Sequence, residues 1–166
     1  LQDEHVVPVV KHFALNNNEW NRHLTDVQVD ERTLREIYLP AFEAAVKEGG
    51  ALGIMSSYNK IRGVHASEQD YLINRVLKNE WGFKGVVVSD WASVYSTTGP
   101  VRGGLDVEMP NPDFMGRDSI MKYLATGMIT REQIVDKARR NLYVRFAAGL
   151  DAKDRNGDPA VQTAES

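Results

Sequence analysis

The 166 residues suffice for one domain, or a large piece of one, that removes roughly 70% of the unfolded surface on folding. A hydrophobic fraction of 42% and a charged fraction of 26% are those of a globular protein, and a net charge of −3 argues against a dedicated nucleic-acid binder. No apolar run reaches the roughly 18 residues of a membrane span, no basic-then-apolar leader opens the chain, and the lack of Cys excludes disulfides, thiol catalysis and Cys-ligated zinc.

After a polar lead-in, the first strand is expected over residues 6–10, weakened by Pro8, which cannot donate to a ladder. Lys11-His12-Phe13 follow at its carboxyl end, then a polar loop from Asn16 to Glu19 that runs on to Trp20 and Arg22, and a short extended piece over 25–29. Asp30 is placed to cap a helix over 31–47, whose apolar residues Leu34, Ile37, Tyr38, Phe42, Ala45 and Val46 recur at helical spacing. Pro40 should kink that helix and Gly49-Gly50 should stop it. A strand over 51–56 leads into Ser57-Tyr58-Asn59. A helix from Ser67 to Asn79 buries Leu72, Val76 and Leu77, with Gly82 just past its end.

Three consecutive valines then give a strand over 85–90, of the kind buried on both faces in a parallel sheet, ending in Ser89-Asp90-Trp91. Residues 92–104 start helically but are interrupted by Gly99-Pro100, and 105–109 form a short strand before Pro110. Two helices follow, over 117–125 and from a capping box at Thr130 and Gln133 to Gly149, the second burying Ile134, Ala138, Leu142 and Phe146. Residues 1–150 therefore read as the domain and 151–166 as a polar tail or linker.

Strand–loop–helix units repeated four times make an α/β fold with a parallel sheet, half of a TIM-like (β/α)8 barrel, which takes about 250 residues. No Gly-rich phosphate loop supports a nucleotide-binding alternative. Half a barrel leaves two sheet edges and an inner face open, so another copy or another chain is expected to complete it.

In such folds the chemistry lies beyond the carboxyl ends of the strands. The residues there are Lys11 and His12, Met55 and Tyr58, Asp90 and Trp91, and Asp106 and Glu108. Cations, aromatic rings and a carboxylate suit a polyhydroxylated ligand, because charged groups bond hydroxyls strongly and rings cover apolar sugar faces. Each residue also has an ordinary structural role open to it. Asp90 suits a helix N-cap, Lys11 a solvated surface charge, His12 a core histidine, and Met55, Tyr58 and Trp91 packing.

Several segments resemble glycoside hydrolase family 3, the β-glucosidase family. They are Lys11-His12-Phe13-Ala14 with Asn16, Glu19 and Arg22; Met55-Ser56-Ser57-Tyr58-Asn59 with Gly63; Gly82-Phe83-x-Gly85-x-Val87-x-Ser89-Asp90-Trp91; Gly104-Leu105-Asp106-x-Glu108-Met109-Pro110; and the stretch from Asp30 to Glu36. Together they cover residues 6 to 150 in order. The resemblance implies a retaining exo-β-glycosidase acting on β-glucosides or oligosaccharides without a cofactor. It implies Asp90 as nucleophile, Lys11 and His12 on sugar hydroxyls, and Met55, Tyr58 and Trp91 as walls of the glucose subsite. Glu19 and Arg22 would be a polar pair supporting the site. The acid/base Glu of the family comes from a following domain, and a sugar-binding Asp and Arg from an earlier half of the barrel. None of the three has a counterpart in this sequence. The alternative is therefore a catalytically incomplete sugar-binding or self-associating module. The resemblance is compatible with an extracellular or periplasmic setting, and the sequence leaves the compartment open.

Overall fold

The computed structural model describes residues 6–150, so the polar tail read over 151–166 lies outside the described residues. The strands are β1 (Val9–Phe13), β2 (Asp26–Val27), β3 (Gly53–Ser56), β4 (Lys60–Ile61), β5 (Val64–His65), β6 (Val86–Trp91) and β7 (Val107–Met109). The helices are α1 (Glu31–Thr33), α2 (Pro40–Lys47), α3 (Thr98–Gly103), α4 (Arg117–Ala125) and α5 (Arg131–Ala147), with π-wound stretches over Leu34–Tyr38 and Tyr71–Glu80 and a 3-10 turn over Ala66–Glu68.

β1, β3, β6 and β7 form one sheet in that order, and every neighbouring pair is parallel. This is the expected half-barrel order, with one shift in the first strand. The ladder starts at Val9 opposite Gly53 rather than at residue 6, and the register shifts across Lys11 and His12 before Phe13 pairs with Ser56. Pro8, which has no N–H to give, stands just outside it. β6 is buried over Val86, Val87, Ser89 and Asp90, as its valine run requires. Gly85, at its entry, is fixed by space: a Cβ there would fall 2.2 Å from the Leu52 carbonyl oxygen.

The helix expected over 31–47 forms in two pieces. Asp30 caps it as read, accepting from the Thr33 N–H at 2.9 Å. The chain then widens into the π stretch, where the Leu39 N–H bonds back five residues to the Leu34 carbonyl at 3.0 Å. Leu34 and Leu39 both enter the core, and Ile37, which regular 3.6-residue winding turns inward, is 69% exposed. Pro40 restarts the helix at its first position, where no N–H is needed. The same logic corrects the expectation at Gly99-Pro100. These residues do not interrupt a helix; they lie in the first turn of α3.

Two further features depart from the sequence reading. A second, small sheet of β2, β4 and β5 follows β3, with the β4–β5 hairpin closed by Arg62 and Gly63, both at positive φ, as a two-residue I′ turn requires. α5 turns its other face to the sheet. Leu142 and Phe146 are 53% and 60% exposed and Ala138 is exposed, whereas Lys137 and Val144 are buried and Arg140 is half-buried. The reason is charge. Asp106, buried just ahead of β7, accepts from Lys78 Nζ at 2.9 Å and from the Val87 N–H at 2.8 Å. Arg140 reaches the carbonyls of Phe83 and Gly85 at 2.8 and 3.3 Å. A buried carboxylate and two strand-end carbonyls attract the cationic stripe of α5 more strongly than the sheet attracts its apolar one.

Candidate active site

Asp90 is the penultimate residue of β6 and 5% exposed. Three groups meet at its carboxylate: Tyr58 Oη donates at 3.0 Å and the Trp91 N–H at 2.7 Å to Oδ1, and His12 Nε2 lies 3.2 Å from Oδ2. Its carbonyl accepts from the Ser89 and Ser93 hydroxyls at 2.8 and 3.0 Å. The helix-cap alternative falls here, because the next helix, α3, begins only at Thr98 and its N-cap is Thr97.

Tyr58 is carried to Asp90 by the turn that leaves β3. The Ser57 N–H bonds the Phe13 carbonyl at 2.9 Å, and the Ser57 hydroxyl and the Asn59 amide both reach the Ala14 carbonyl, at 2.8 and 3.3 Å. These bonds sew the segment beyond β3 to the segment beyond β1, which brings Tyr58 and His12 to the same carboxylate. Burial, and then the hydrogen bond to Asp90, push the Tyr58 phenol above the usual tyrosine range, so it stays a proton donor at neutral pH.

The remaining expected residues divide. Arg22 lies 4.0 Å over the Tyr58 ring, is ion-paired with Glu19, and Glu19 accepts from the Asn16 amide at 3.1 Å. The polar pair thus belongs to the site through Tyr58. Met55 is half-buried in β3, paired with Val88 of β6, and Trp91, 56% exposed, pairs with Met109 of β7. Lys11 is exposed and forms no ion pair with Asp90; the side chain that reaches the carboxylate is His12. Asp106 and Glu108 do not join the site. Asp106 faces Lys78, and Glu108 accepts from the N–H groups of Phe114 and Met115, which orders the turn after β7.

Three site residues carried no sequence signal: His23, His65 and Tyr95. The His65 and Tyr95 rings stack at 3.6 Å, and His23 Nδ1 lies 2.9 Å from Tyr95 Oη. Burial holds His65 below the usual histidine value and pushes Tyr95 up to about 12. They come from two loops and the short strand β5, so no spacing along the chain announces them. Among the described residues no group of three or more His, Cys, Asp or Glu could hold a metal ion, and no helix is long and apolar enough to cross a membrane.

The sequence model described as the glycosyl hydrolase family 3 N terminal domain matches residues 1–144. The chain belongs to glycosyl hydrolase family 3. It is 44% identical to a beta-glucosidase of Rhizobium radiobacter over 153 residues, 92% of this chain and 19% of that protein. It is 43% identical to the thermostable beta-glucosidase B of Acetivibrio thermocellus over 157 residues, 94% of this chain and 20% of that protein. The crystal structure of the Kluyveromyces marxianus beta-glucosidase in complex with glucose superposes with a TM-score of 0.86 at 36% identity, over 89% of this chain and 18% of that one. Beta-glucosidase 3B of Thermotoga neapolitana in complex with glucose gives 0.81 at 38% identity, over 88% of this chain and 21% of that one. The chain therefore spans about a fifth of the length of its family 3 relatives. Its four-stranded parallel sheet with helices is consistent with the family's N-terminal (β/α)8 barrel domain.

Proposed function

We propose that this chain is the nucleophile-bearing part of a retaining β-glucosidase that hydrolyses terminal β-D-glucosyl residues. The observation that carries the reading is the buried Asp90 carboxylate at the carboxyl end of β6, held by Tyr58, His12 and the Trp91 N–H. These contacts leave the carboxylate aimed rather than free to rotate. Asp90 attacks the anomeric carbon as the leaving-group oxygen departs, giving a glycosyl-enzyme ester that water then cleaves. Lys11 and His12 bond glycone hydroxyls, Met55, Tyr58 and Trp91 wall the subsite, and Glu19 with Arg22 supports Tyr58. The acid/base carboxyl, which retention places about 5–5.5 Å from the nucleophile, comes from a segment outside the described residues. The names of the relatives support the β-glucosidase assignment. The test is to trap the full-length protein with a slow fluorinated glucoside and locate the label by peptide mass. Label on Asp90 is expected; label on another residue removes the reading.

The same proposal extends to what covers the sheet. β1 and β7 are its edge strands, and parallel sheets are covered on both faces. Further polypeptide closes the barrel, within one longer chain as in the relatives or from a second copy. Residues 1–150 produced alone should self-associate, and a stable monomer by sedimentation at low concentration would count against this. Such a monomer that still binds glucose-like ligands would favour the sugar-binding-module alternative.

A further inference from the structure

We infer that Tyr95 is a positioning residue for the Tyr58–Asp90 pair, acting through the main chain of Tyr58 together with His23 and His65. The inference rests on the reading of Asp90 as nucleophile.

Tyr58 donates to Asp90 Oδ1 at 3.0 Å, so the carboxylate's orientation depends on where that phenol stands. Its ring is held by the Arg22 guanidinium, 4.0 Å from the centroid, and by the His23 ring at 4.6 Å. Its carbonyl oxygen is approached by His65 Nδ1 at 3.3 Å and by Tyr95 Oη at 3.4 Å. Tyr95 is common to all of these holds but that of Arg22: it stacks on His65 at 3.6 Å, meets His23 Nδ1 at 2.9 Å and reaches the Tyr58 carbonyl. It lies five residues after Asp90, on the segment that leaves the nucleophile strand. One side chain thus ties the loop after β1, the turn after β3, the β4–β5 hairpin and the exit of β6 to a single tyrosine.

The hydroxyl has one proton and two partners. When His23 carries its proton on Nδ1, it donates to Tyr95 Oη, and the Tyr95 proton is directed to the Tyr58 carbonyl, so both contacts are satisfied. When Nδ1 is bare, it takes the Tyr95 proton and leaves the carbonyl to His65 alone. The charged groups around this cluster are Arg22, Lys60, Glu19, Glu68 and Asp90. Tyr95→Phe keeps the ring on His65 and removes only the hydroxyl. A residue that holds the main chain of Tyr58, while Arg22 and His23 keep its ring in the subsite wall, acts on the chemical step more than on how tightly glucose binds.

The experiment uses the full-length protein and an aryl β-glucoside. Tyr95→Phe is expected to lower kcat about tenfold, a modest loss of aim at the reacting centre, with KM within about twofold. His23→Phe, at an exposed position, keeps a ring beside Tyr58 and removes only the nitrogen that meets Tyr95; it should lower kcat in the same direction, and the double variant should be no worse than Tyr95→Phe alone, because both remove one chain of bonds. Wild-type kcat in Tyr95→Phe, or additive losses in the double variant, overturns the inference. If Tyr95→Phe does not fold, His23→Phe decides: a fall in kcat at an unchanged melting temperature supports it, and wild-type kcat overturns it. Asp90→Asn is the control that separates the two readings. Activity retained in Asp90→Asn removes the function itself, whereas a dead Asp90→Asn beside a fully active Tyr95→Phe removes only the role of Tyr95.

Discussion

Asp90→Asn in the full-length protein should lose at least about a thousandfold in kcat, about 4 kcal/mol of transition-state stabilisation at roughly 1.4 kcal/mol per tenfold. The fold should be unaffected. An amide has nearly the shape of a carboxylate, and its oxygen still accepts from Tyr58 and the Trp91 N–H, the two donors that meet on Oδ1. Its NH2 then faces His12, whose Nε2 is able to accept when the ring is neutral. What the amide cannot do is form the ester to the anomeric carbon. A small external nucleophile gives the complementary result. In Asp90→Ala, azide should restore release of the aryl group, with the glucosyl azide in the α configuration, because attack comes from the face the carboxylate vacated. Activity within tenfold of wild type in Asp90→Asn, at an unchanged melting temperature, would leave Asp90 as a structural acid.

The position of Asp90 was readable from the chain because its cause is local. Three valines in a row specify a strand buried on both faces, and the residue ending such a strand emerges at the catalytic end of the sheet. Residues 53–56 and 107–109 were readable for similar reasons, as were the caps at Asp30 and Thr130. The face of α5 was not. Its apolar spacing argues for Leu142 and Phe146 inside, and what reverses it is Asp106, a carboxylate some 30 residues earlier that no periodicity connects to Lys137. Ile37 fails for a geometric reason, since 3.6-residue spacing cannot foresee the π turn that aligns Leu34 with Leu39. The cluster of His23, His65 and Tyr95 was out of reach because its cause is the meeting of two loops with a two-residue strand, and such contacts leave no period. Resemblance to the family located Lys11 and His12 together; only the geometry separates them, with His12 on the carboxylate and Lys11 exposed beside it.

Asp106→Ala should destabilise the domain by about 3–5 kcal/mol, the usual cost of removing one partner from a buried charge pair. The Lys78 and Asp106 side chains are 5% and 0% exposed, so water cannot replace the lost contact. The substitution strands the Lys78 ammonium, which keeps the Gly104 carbonyl at 2.6 Å and a longer contact to Asp136 at 4.0 Å, and it frees the Val87 N–H of the strand that carries Asp90. The pH dependence identifies the cause. Burial pushes the Lys137 amine down to about 8 from 10.5, against the pull of Asp106. Between those two values the unfolded chain holds a proton that the native one lacks, so stability rises with pH. That gain is fully present above 10.5 and is lost as pH falls through about 8. Without Asp106 to favour its charged form, Lys137 should lose its proton at lower pH, and the rising limb should begin below about 8. Lys78, whose amine burial also holds low, should move the same way. Asp106→Leu combined with Lys78→Met should recover much of the loss, because an apolar pair of similar volume carries no desolvation cost. Denaturant titrations of the wild type, Asp106→Ala and the double variant across pH 6 to 11 check this (~0.5 pH steps resolve the limb). A loss under about 1 kcal/mol in Asp106→Ala, or an unmoved alkaline limb, would mean that the carboxylate does not organise the contact between α5 and the nucleophile strand.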